Sequence, residues 1–578
     1  MTNLDIARLF NEIADFLEIK DENVFKIRAY RRAAMNLESL TEEIGALAAR
    51  GGLTEIPGVG KDLAAKIQQA IETGRIDDLE GLRKEIPRGV VELMAIPGVG
   101  PKTAKLLYDK LQVDSVDTLE ALAREGKLLS LPGIKEKTVE NIVKGIQVVK
   151  KGRERMPLGR ALTLAREIVR VLENLSHVKQ ISTAGSLRRM RDTVRDIDLL
   201  ITSTKPAKVM QLFTSLPQVA DVLVHGDTKA SVLHRDGIQV DLRVVEPDCF
   251  GAALQYFTGS KEHNIRVREL ASRKGLKVSE YGVFRESSGR RIAGATEEEV
   301  YKAVGLPYIP PELREDAGEI EAALEGRLPD LIELNDIRGD LHAHTNWSDG
   351  HHELEALIER AHRRGYAYVI VSDHSRSATV AGGLSEERLL DQIGKIRALN
   401  KKYPKIRILA GSECDILADG SMDFPDRVLA QLDIVLGAVH SRFKQSRAEM
   451  TARIVKALSN PYVNILAHPT GRLIGERDPY EVDLEAVFAA AKRHGKAVEI
   501  NSQPARLDLN DHHARRAKEL GVMLSIDTDT HFLDQLDNMS LGVATARRAW
   551  IGKADVINTM PLKKLLAWAH KSRPALAK

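Results

Sequence analysis

From Ile337 onward, short β-like runs alternate with helical patterns, and nearly every run ends in His, Asp or Glu. The runs are Gly339-Asp340-Leu341-His342, Tyr368–Val371, Arg407–Ala410, Ile434–Gly437, Asn464–Leu466, Ala497–Ile500 and Met523–Ile526. Short apolar runs separated by helices predict a parallel sheet covered by helices, here an α/β barrel of about seven strands. In such barrels the chemistry sits at the C-terminal ends of the strands. Thirteen of the 17 histidines lie at or after His342, which points to metal chemistry there.

His342 and His344, at i and i+2, share one face of a strand end and can serve one metal. Asp349, His374, Glu413, His440, His468, Asp529 and His531 complete nine candidate ligands, enough for up to three ions. Mixed imidazole and carboxylate suits Zn, Mn or Fe better than Mg. Asp527 is an additional carboxylate beside them. His351, His352, His362, His494, His512, His513 and His570 fall in helical or loop contexts and read as surface residues.

A second constellation lies upstream. Gly185-Ser186-Leu187-Arg188-Arg189 opens a helix whose backbone N–H groups can hold phosphate. Asp196 and Asp198, two residues apart in a β-rich run, point to one face of a strand, and Asp241 opens another β-like run. Three carboxylates near a phosphate pocket are what two divalent cations need for in-line nucleotidyl transfer.

Residues 1–150 read as helical, punctuated by Ile56-Pro57-Gly58-Val59-Gly60, Ile96-Pro97-Gly98-Val99-Gly100 and Leu131-Pro132-Gly133-Ile134, an internal helix–hairpin–helix repeat. Gly58, Gly60 and Lys61, and again Gly98, Gly100 and Lys102, predict contacts to a DNA backbone. The helix around Lys26 and Tyr30 adds basic residues interleaved with aromatics. Overall charge is only +3, but residues 101–300 carry 34 Lys/Arg against 26 Asp/Glu, a local basic footprint. Cys249 and Cys414 form no framework, which implies a reducing, cytoplasmic setting. No apolar run approaches a membrane span.

Residues 1–311 resemble a family X DNA polymerase, in the layout of the eukaryotic repair polymerase beta. The marks are Lys26 with Ala29-Tyr30-Arg31, the two Pro-Gly-Val-Gly hairpins, Gly185-Ser186-x-Arg188-Arg189, the three aspartates and Tyr256-Phe257-Thr258-Gly259-Ser260. The resemblance implies that Asp196, Asp198 and Asp241 are catalytic and hold two Mg²⁺ ions. Gly185, Ser186 and Arg189 would grip the nucleotide phosphates. Tyr256 and Phe257 would line the sugar pocket, Gly259 and Ser260 would bind the nucleotide beside them, and Asn264 and Arg268 would reach the minor-groove edge of the nascent pair. Lys261, where the eukaryotic pattern is acidic and apolar, would strengthen nucleotide binding before the template is engaged. Lys66 falls at the position of a Schiff-base lysine and carries the expectation of a 5′-deoxyribose-phosphate lyase.

Residues 337–578 resemble a PHP domain, a distorted (β/α)7 barrel with a metal-dependent phosphoesterase site. The union is that of bacterial and archaeal family X polymerases. It implies gap-filling synthesis on gapped or primer-template DNA from deoxynucleoside triphosphates, with a Mn²⁺- or Zn²⁺-dependent 3′–5′ exonuclease and further abasic-site or 3′-end processing. The expected organisation is multidomain, α+β and α/β. It comprises a lyase-like helical domain (1–85), a fingers-type helical domain (86–154), a nucleotidyltransferase palm (155–245), a thumb-type subdomain (246–311), an acidic linker (312–336) and the barrel (337–578), in a monomer. The alternative is a DNA-binding PHP phosphoesterase whose polymerase half is mainly structural.

Overall fold

A computed structural model describes residues 3–38, 44–94, 96, 99–151 and 155–574. The chain forms two compact units. One runs up to Gly326 and the other from Arg327, and Pro157–Leu162 and Met190–Asp192 belong to the second. Among the described residues no helix is long and apolar enough to cross a membrane.

The amphipathic stripe of the first helix, Asn3–Ile19, closes a core in which Ile6, Phe10, Ile13 and Leu17 meet Tyr30, Ala33, Ala34 and Leu37 of helix Val24–Glu38. Helix Lys61–Thr73 starts at Gly60 and helix Pro101–Leu111 at Gly100, neither with a side-chain cap. Their first N–H groups are therefore left for solvent or a ligand. Gly58 has φ +79°, which only glycine takes without strain. Gly98 lies outside the described residues.

The palm-type sheet has five strands: β1 Val178–Thr183, β2 Asp196–Ser203, β3 Val219–His225, β4 Lys229–His234 and β5 Gln239–Val244, in the order β1-β2-β5-β4-β3. Only β2 and β5 pair in parallel. Beyond it, helices Phe250–Thr258 and Lys261–Ser272 precede an antiparallel sheet of β6 Leu276–Ser279, β7 Gly282–Arg285 and β8 Arg291–Ala293, then helix Glu297–Val304.

The expected acidic linker is corrected here. Residues 312–326 are part of the first unit, because their charges are spent on buried partners. Arg314 is fully buried; its Nη1 donates to Glu297 at 2.6 Å and its Nε to the Ile309 carbonyl at 2.8 Å. Glu297 also receives two bonds from Arg188, at 2.8 and 2.6 Å. Glu319, opening helix Glu319–Leu324, accepts from the Asp316 and Ala317 N–H groups and meets His263 Nδ1 at 2.7 Å. Nine acids in 25 residues look like a solvated tether only while partners such as Arg189, His263 and Arg266 are unseen.

The second unit contains seven parallel strands in sequence order: β9 Gly339–Asp340, β10 Tyr368–Val371, β11 Arg407–Asp415, β12 Ile434–Ala438, β13 Ile465–Leu466, β14 Ala497–Asn501 and β15 Met523–Asp527. A bridge between Ala343 and Thr530 brings the two ends together, so the sheet nearly closes into the expected (β/α)7 barrel. Alternate residues build two layers. Tyr368, Ile370, Leu409, Ile434, Leu436 and Ile465 share the core cluster that includes Leu565 and Ala569 of helix Leu562–His570. Val369, Val371, Ile408, Val435, Leu466 and Val498 pack in a second cluster with the surrounding helices. This alternation is the two-residue period of a strand applied to a sheet buried on both faces.

Removing Glu297 strands two arginines, one of them fully buried. Glu297→Ala is expected to destabilise the polymerase half by about 3–5 kcal/mol, read as a lower urea midpoint. A midpoint equal to that of the wild type would show that the cluster contributes nothing net.

Candidate functional site

The parallel β2–β5 pair sets the first site. Asp198 lies opposite Asp241 in register, and Asp196 shares the face two residues away. Asp241 is held by the Ser231 hydroxyl on β4 and by Gln239 Nε2 at 3.1 Å to both carboxylate oxygens. Burial, then the neighbouring Asp196 and Asp241, push the Asp198 carboxyl up to about 7, against Arg243 and Arg189. Asp196 is raised likewise by burial and by Asp241. Asp196 and Asp198, raised by burial and by the carboxylates that strand register crowds beside them, belong to a donor set that a divalent cation would relieve. The residues therefore fit the metals the resemblance implies.

Gly185 begins a single helical turn, Gly185–Arg188, at φ +59°, and a Cβ there would lie 2.2 Å from Asp198 Oδ2. The phosphate-pocket glycine is thus required by the close approach of the metal-facing carboxylate. Arg189 donates to the Thr258 carbonyl at 2.5 Å and to Glu315 at 3.0 Å, and its guanidinium lies close to Gly259, which has φ +69°. The Tyr256 and Phe257 rings meet edge-on at 5.1 Å, with Arg243 4.5 Å over Phe257. Lys261 is exposed at the start of its helix, and Ser186 is half-buried.

Several expected ligand contacts are redirected inward. The Ser260 hydroxyl caps helix Lys261–Ser272 by accepting from His263 N–H at 3.2 Å. Asn264 is buried; its carbonyl oxygen accepts from Gln255 and its amide donates to the Tyr256 carbonyl, both at 2.7 Å. Its side chain thereby braces the Tyr256 backbone. Arg268 is exposed, with its Nε on the Asn264 carbonyl at 3.2 Å.

In the helical domains Lys26, Gly60, Lys61, Gly100 and Lys102 are exposed, as backbone binding requires. Tyr30 corrects the expectation: it is 2 % exposed and packs edge-on against Phe10 at 5.4 Å, a core residue. Lys66 also departs from its expected role. Its ammonium bonds both Asp62 oxygens at 2.8 Å and lies 3.4 Å from Asp78. Burial would lower its pKa, but Asp62, Tyr30 and Asp78 together raise it above the ordinary lysine value. An imine-forming lysine needs the opposite shift.

All nine expected ligands of the barrel converge at the C-terminal ends of its strands. Three overlapping groups bring ligand atoms within 4.8 Å of one another: His344, Asp349, His374 and His531; His342, His344 and Asp529; and His374, Glu413 and His440. Glu413, at the C-terminal part of β11, is the hub. Its oxygens lie 2.7 Å from His468 Nε2, 3.0 Å from His374 Nδ1, 3.1 Å from His440 Nε2, 3.4 Å from His342 Nε2 and 3.5 Å from His344 Nε2. His468 and Asp529 hold φ values of +25° and +50°, sparsely populated for such side chains and typical of functional sites. Burial and the imidazoles of His374 and His531 push His344 down to about 3, so it stays neutral, the form a metal takes.

Both ring nitrogens of His344, His342 Nε2 and His374 Nδ1 are buried with no hydrogen-bond partner among the described residues. Buried polar atoms without partners, aimed at shared carboxylates, are the signature of a metal site, and the donor set fits one.

Sequence reasoning missed the groups that orient these ligands. Glu499 Oε1 meets His342 Nδ1 at 2.7 Å, and its other oxygen accepts from His468 N–H at 2.5 Å. Asp415 meets His440 Nδ1 at 2.5 Å, and the Asp529 carbonyl meets His531 Nδ1 at 2.8 Å. Arg506 Nε lies 3.6 Å from Asp529. Asp527 accepts from Leu341 N–H at 2.9 Å, which holds the segment after β9 that carries His342. Glu499 lies within the run Ala497–Ile500, and nothing local tells an orienting acid from a ligating one. His352, expected at the surface, is buried.

Together the sites define a class: a polymerase-beta-type palm and thumb joined to a histidine-rich PHP-type metal barrel. Family models match accordingly: a helix-hairpin-helix domain over residues 1–76, a SAM-like helix-hairpin-helix tandem over 90–147, the DNA polymerase beta thumb over 253–315 and the PHP domain over 340–503. The DNA polymerase/3′-5′ exonuclease PolX of Bacillus subtilis is 40 % identical over 99 % of this chain and 100 % of its own. The chain belongs to that PolX family. Rat DNA polymerase lambda is 27 % identical over 54 % of this chain and 56 % of its own, and a probable phosphatase of Thermoanaerobacter is 28 % identical over 38 % and 89 %.

Removing the carboxylate charge behind His342 is expected to weaken metal binding by about 10–100-fold in Glu499→Gln, measured by calorimetric titration with Mn²⁺; equal affinity would exclude the orienting role. Borohydride treatment with abasic-site DNA is expected to trap no adduct that depends on Lys66. An adduct abolished by Lys66→Ala would restore the lyase.

Proposed function

We propose that the chain fills short gaps in DNA by two-metal nucleotidyl transfer and processes the 3′ end at the PHP barrel. It is a DNA-directed DNA polymerase with a 3′–5′ exonuclease. The observation that supports this reading is that one chain carries both the in-register aspartates of β2 and β5 and the converging candidate ligands at the barrel rim.

When bound, the divalent ions supply Lewis acidity at the primer 3′ oxygen and the leaving pyrophosphate in the palm, and at the scissile phosphodiester in the barrel. The chain's own residues do the remainder. Gly185 and Ser186 offer backbone N–H groups to the triphosphate, and Arg189 adds fixed positive charge. Tyr256 and Phe257 wall the sugar pocket, with Asn264 holding the Tyr256 carbonyl. Lys261 adds a flexible cation at the pocket edge. Gly60 and Gly100 present uncapped helix starts to the phosphates of gapped DNA, beside Lys61 and Lys102. In the barrel, Glu499 and Asp415 hold His342 and His440 in the tautomers that direct their other nitrogens at Glu413. Mg²⁺ in the palm, Mn²⁺ or Zn²⁺ in the barrel, a monomeric state, a cytoplasmic location and abasic-site cleavage belong to this proposal. The reading of the polymerase half as a structural DNA-binding platform has no observation in its favour.

The test is primer extension and degradation on gapped DNA, with Mg²⁺ against Mn²⁺. Asp198→Ala is expected to abolish incorporation and leave 3′–5′ degradation, and His344→Ala to do the reverse. Loss of both activities from either single change would argue against two independent sites.

A further inference from the structure

Beside the barrel ligands, His351 and Phe532 form an exposed stacked pair. Their ring centroids are 4.1 Å apart and their planes 10° off parallel. Phe532 is 47 % exposed and His351 is exposed as well. Exposed stacked rings outside the core offer a planar π surface to solvent.

The pair is tied to the site on both sides. Phe532 follows His531, and His351 follows Asp349 by two residues; His531 Nε2 and Asp349 Oδ1 lie 3.3 Å apart. His351 N–H donates to the His531 carbonyl at 2.8 Å. The Gln535 side-chain oxygen accepts from His531 N–H at 2.8 Å and Phe532 N–H at 3.1 Å, while Gln503 Nε2 reaches that oxygen at 3.2 Å and the Asp529 carbonyl at 2.7 Å. Between Asp349 and His351 only glycine fits, since a Cβ on Gly350 would sit 2.7 Å from the His344 carbonyl carbon. Ligands and aromatic pair therefore share one hydrogen-bonded backbone and hold a fixed spacing.

We propose that Phe532, backed by His351, is a stacking platform for the terminal nucleobase of the strand being shortened, and that it gives the barrel a preference for 3′ ends that carry a base. The inference rests on the exonuclease reading of the barrel. A phosphodiester at the ligands carries its base one sugar away, and phosphate contacts alone cannot register that base. A stacked aromatic accepts any base, because every base has a π face, which suits an enzyme that degrades without regard to sequence. One ring face beside phosphate chemistry matches a nucleobase, whereas a protein partner would require a wider apolar patch.

Two measurements test it. The first is the ratio of kcat/KM for 3′ removal of a normal nucleotide to that of a tetrahydrofuran residue lacking the base, with Mn²⁺. Phe532→Ala is expected to lower this ratio about tenfold, and Phe532→Tyr to restore it. Equal loss on both ends would make Phe532 a structural support of His531 and overturn the platform, as would an unchanged ratio. The second needs no metal: single-stranded DNA ending in 3′ 2-aminopurine is expected to be quenched more by the wild type than by Phe532→Ala. Equal quenching overturns the proposal. If the wild type degrades neither end, the exonuclease reading fails, and the fluorescence difference decides the platform by itself.

Discussion

Parallel strand register is the constraint on which both sites depend. In the palm, pairing of β2 with β5 sets Asp198 against Asp241 and puts both side chains on one face of the sheet. Side-chain repulsion there is opposed by a backbone ladder, and the result is a carboxyl pushed up to about 7. In the barrel, parallel pairing through seven strands brings residues far apart in the chain to one rim. In both places the fold holds like charges or unpartnered donors at spacings that they would not choose, which is how a protein prepares a site for a cation.

The two sites manage that tension differently. The palm concentrates acids and relieves them only partly, through Ser231, Gln239 and the distant arginines. The barrel alternates imidazole with carboxylate, so that Glu413 meets five histidines and its pKa falls well below the ordinary value despite burial. Hard oxygen donors suit Mg²⁺, and mixed nitrogen and oxygen donors suit the later metals. The two candidate sites thus differ in donor type, one all carboxylate and the other imidazole with carboxylate.

Buried charge also organises the region around the nucleotide pocket. Arg188, on the helical turn of the phosphate loop, is locked to Glu297, and Glu297 to Arg314. His263, one turn into helix Lys261–Ser272, is wedged between Glu319 and Tyr301. These contacts tie the phosphate loop and that helix to the segment after residue 311. The departure at Lys261-Glu262-His263 from the eukaryotic pattern thus has a local physical meaning: His263 needs the acid at 319.

Much was readable from residue order. The strand period, the runs ending in His or acid, the repeated Pro-Gly-Val-Gly turns and the Asp-x-Asp spacing are local patterns. They sufficed for the barrel and the hairpins, and they singled out the three aspartates and the nine candidate ligands that the fold brings to two places. Local pattern did not reveal which polar residue turns inward. Tyr30 reads as a DNA contact but fills a core, Asn264 also braces the Tyr256 backbone, and Lys66 reads as a nucleophile but is clamped by Asp62 and Asp78. The sequence by itself determined the chemistry-bearing residues and the elements that carry them, because periodicity and motif spacing act within a few residues. Tertiary structure alone decided their partners, since the burial, charge and hydrogen bonds that set a side chain's role come from residues tens to hundreds of positions away.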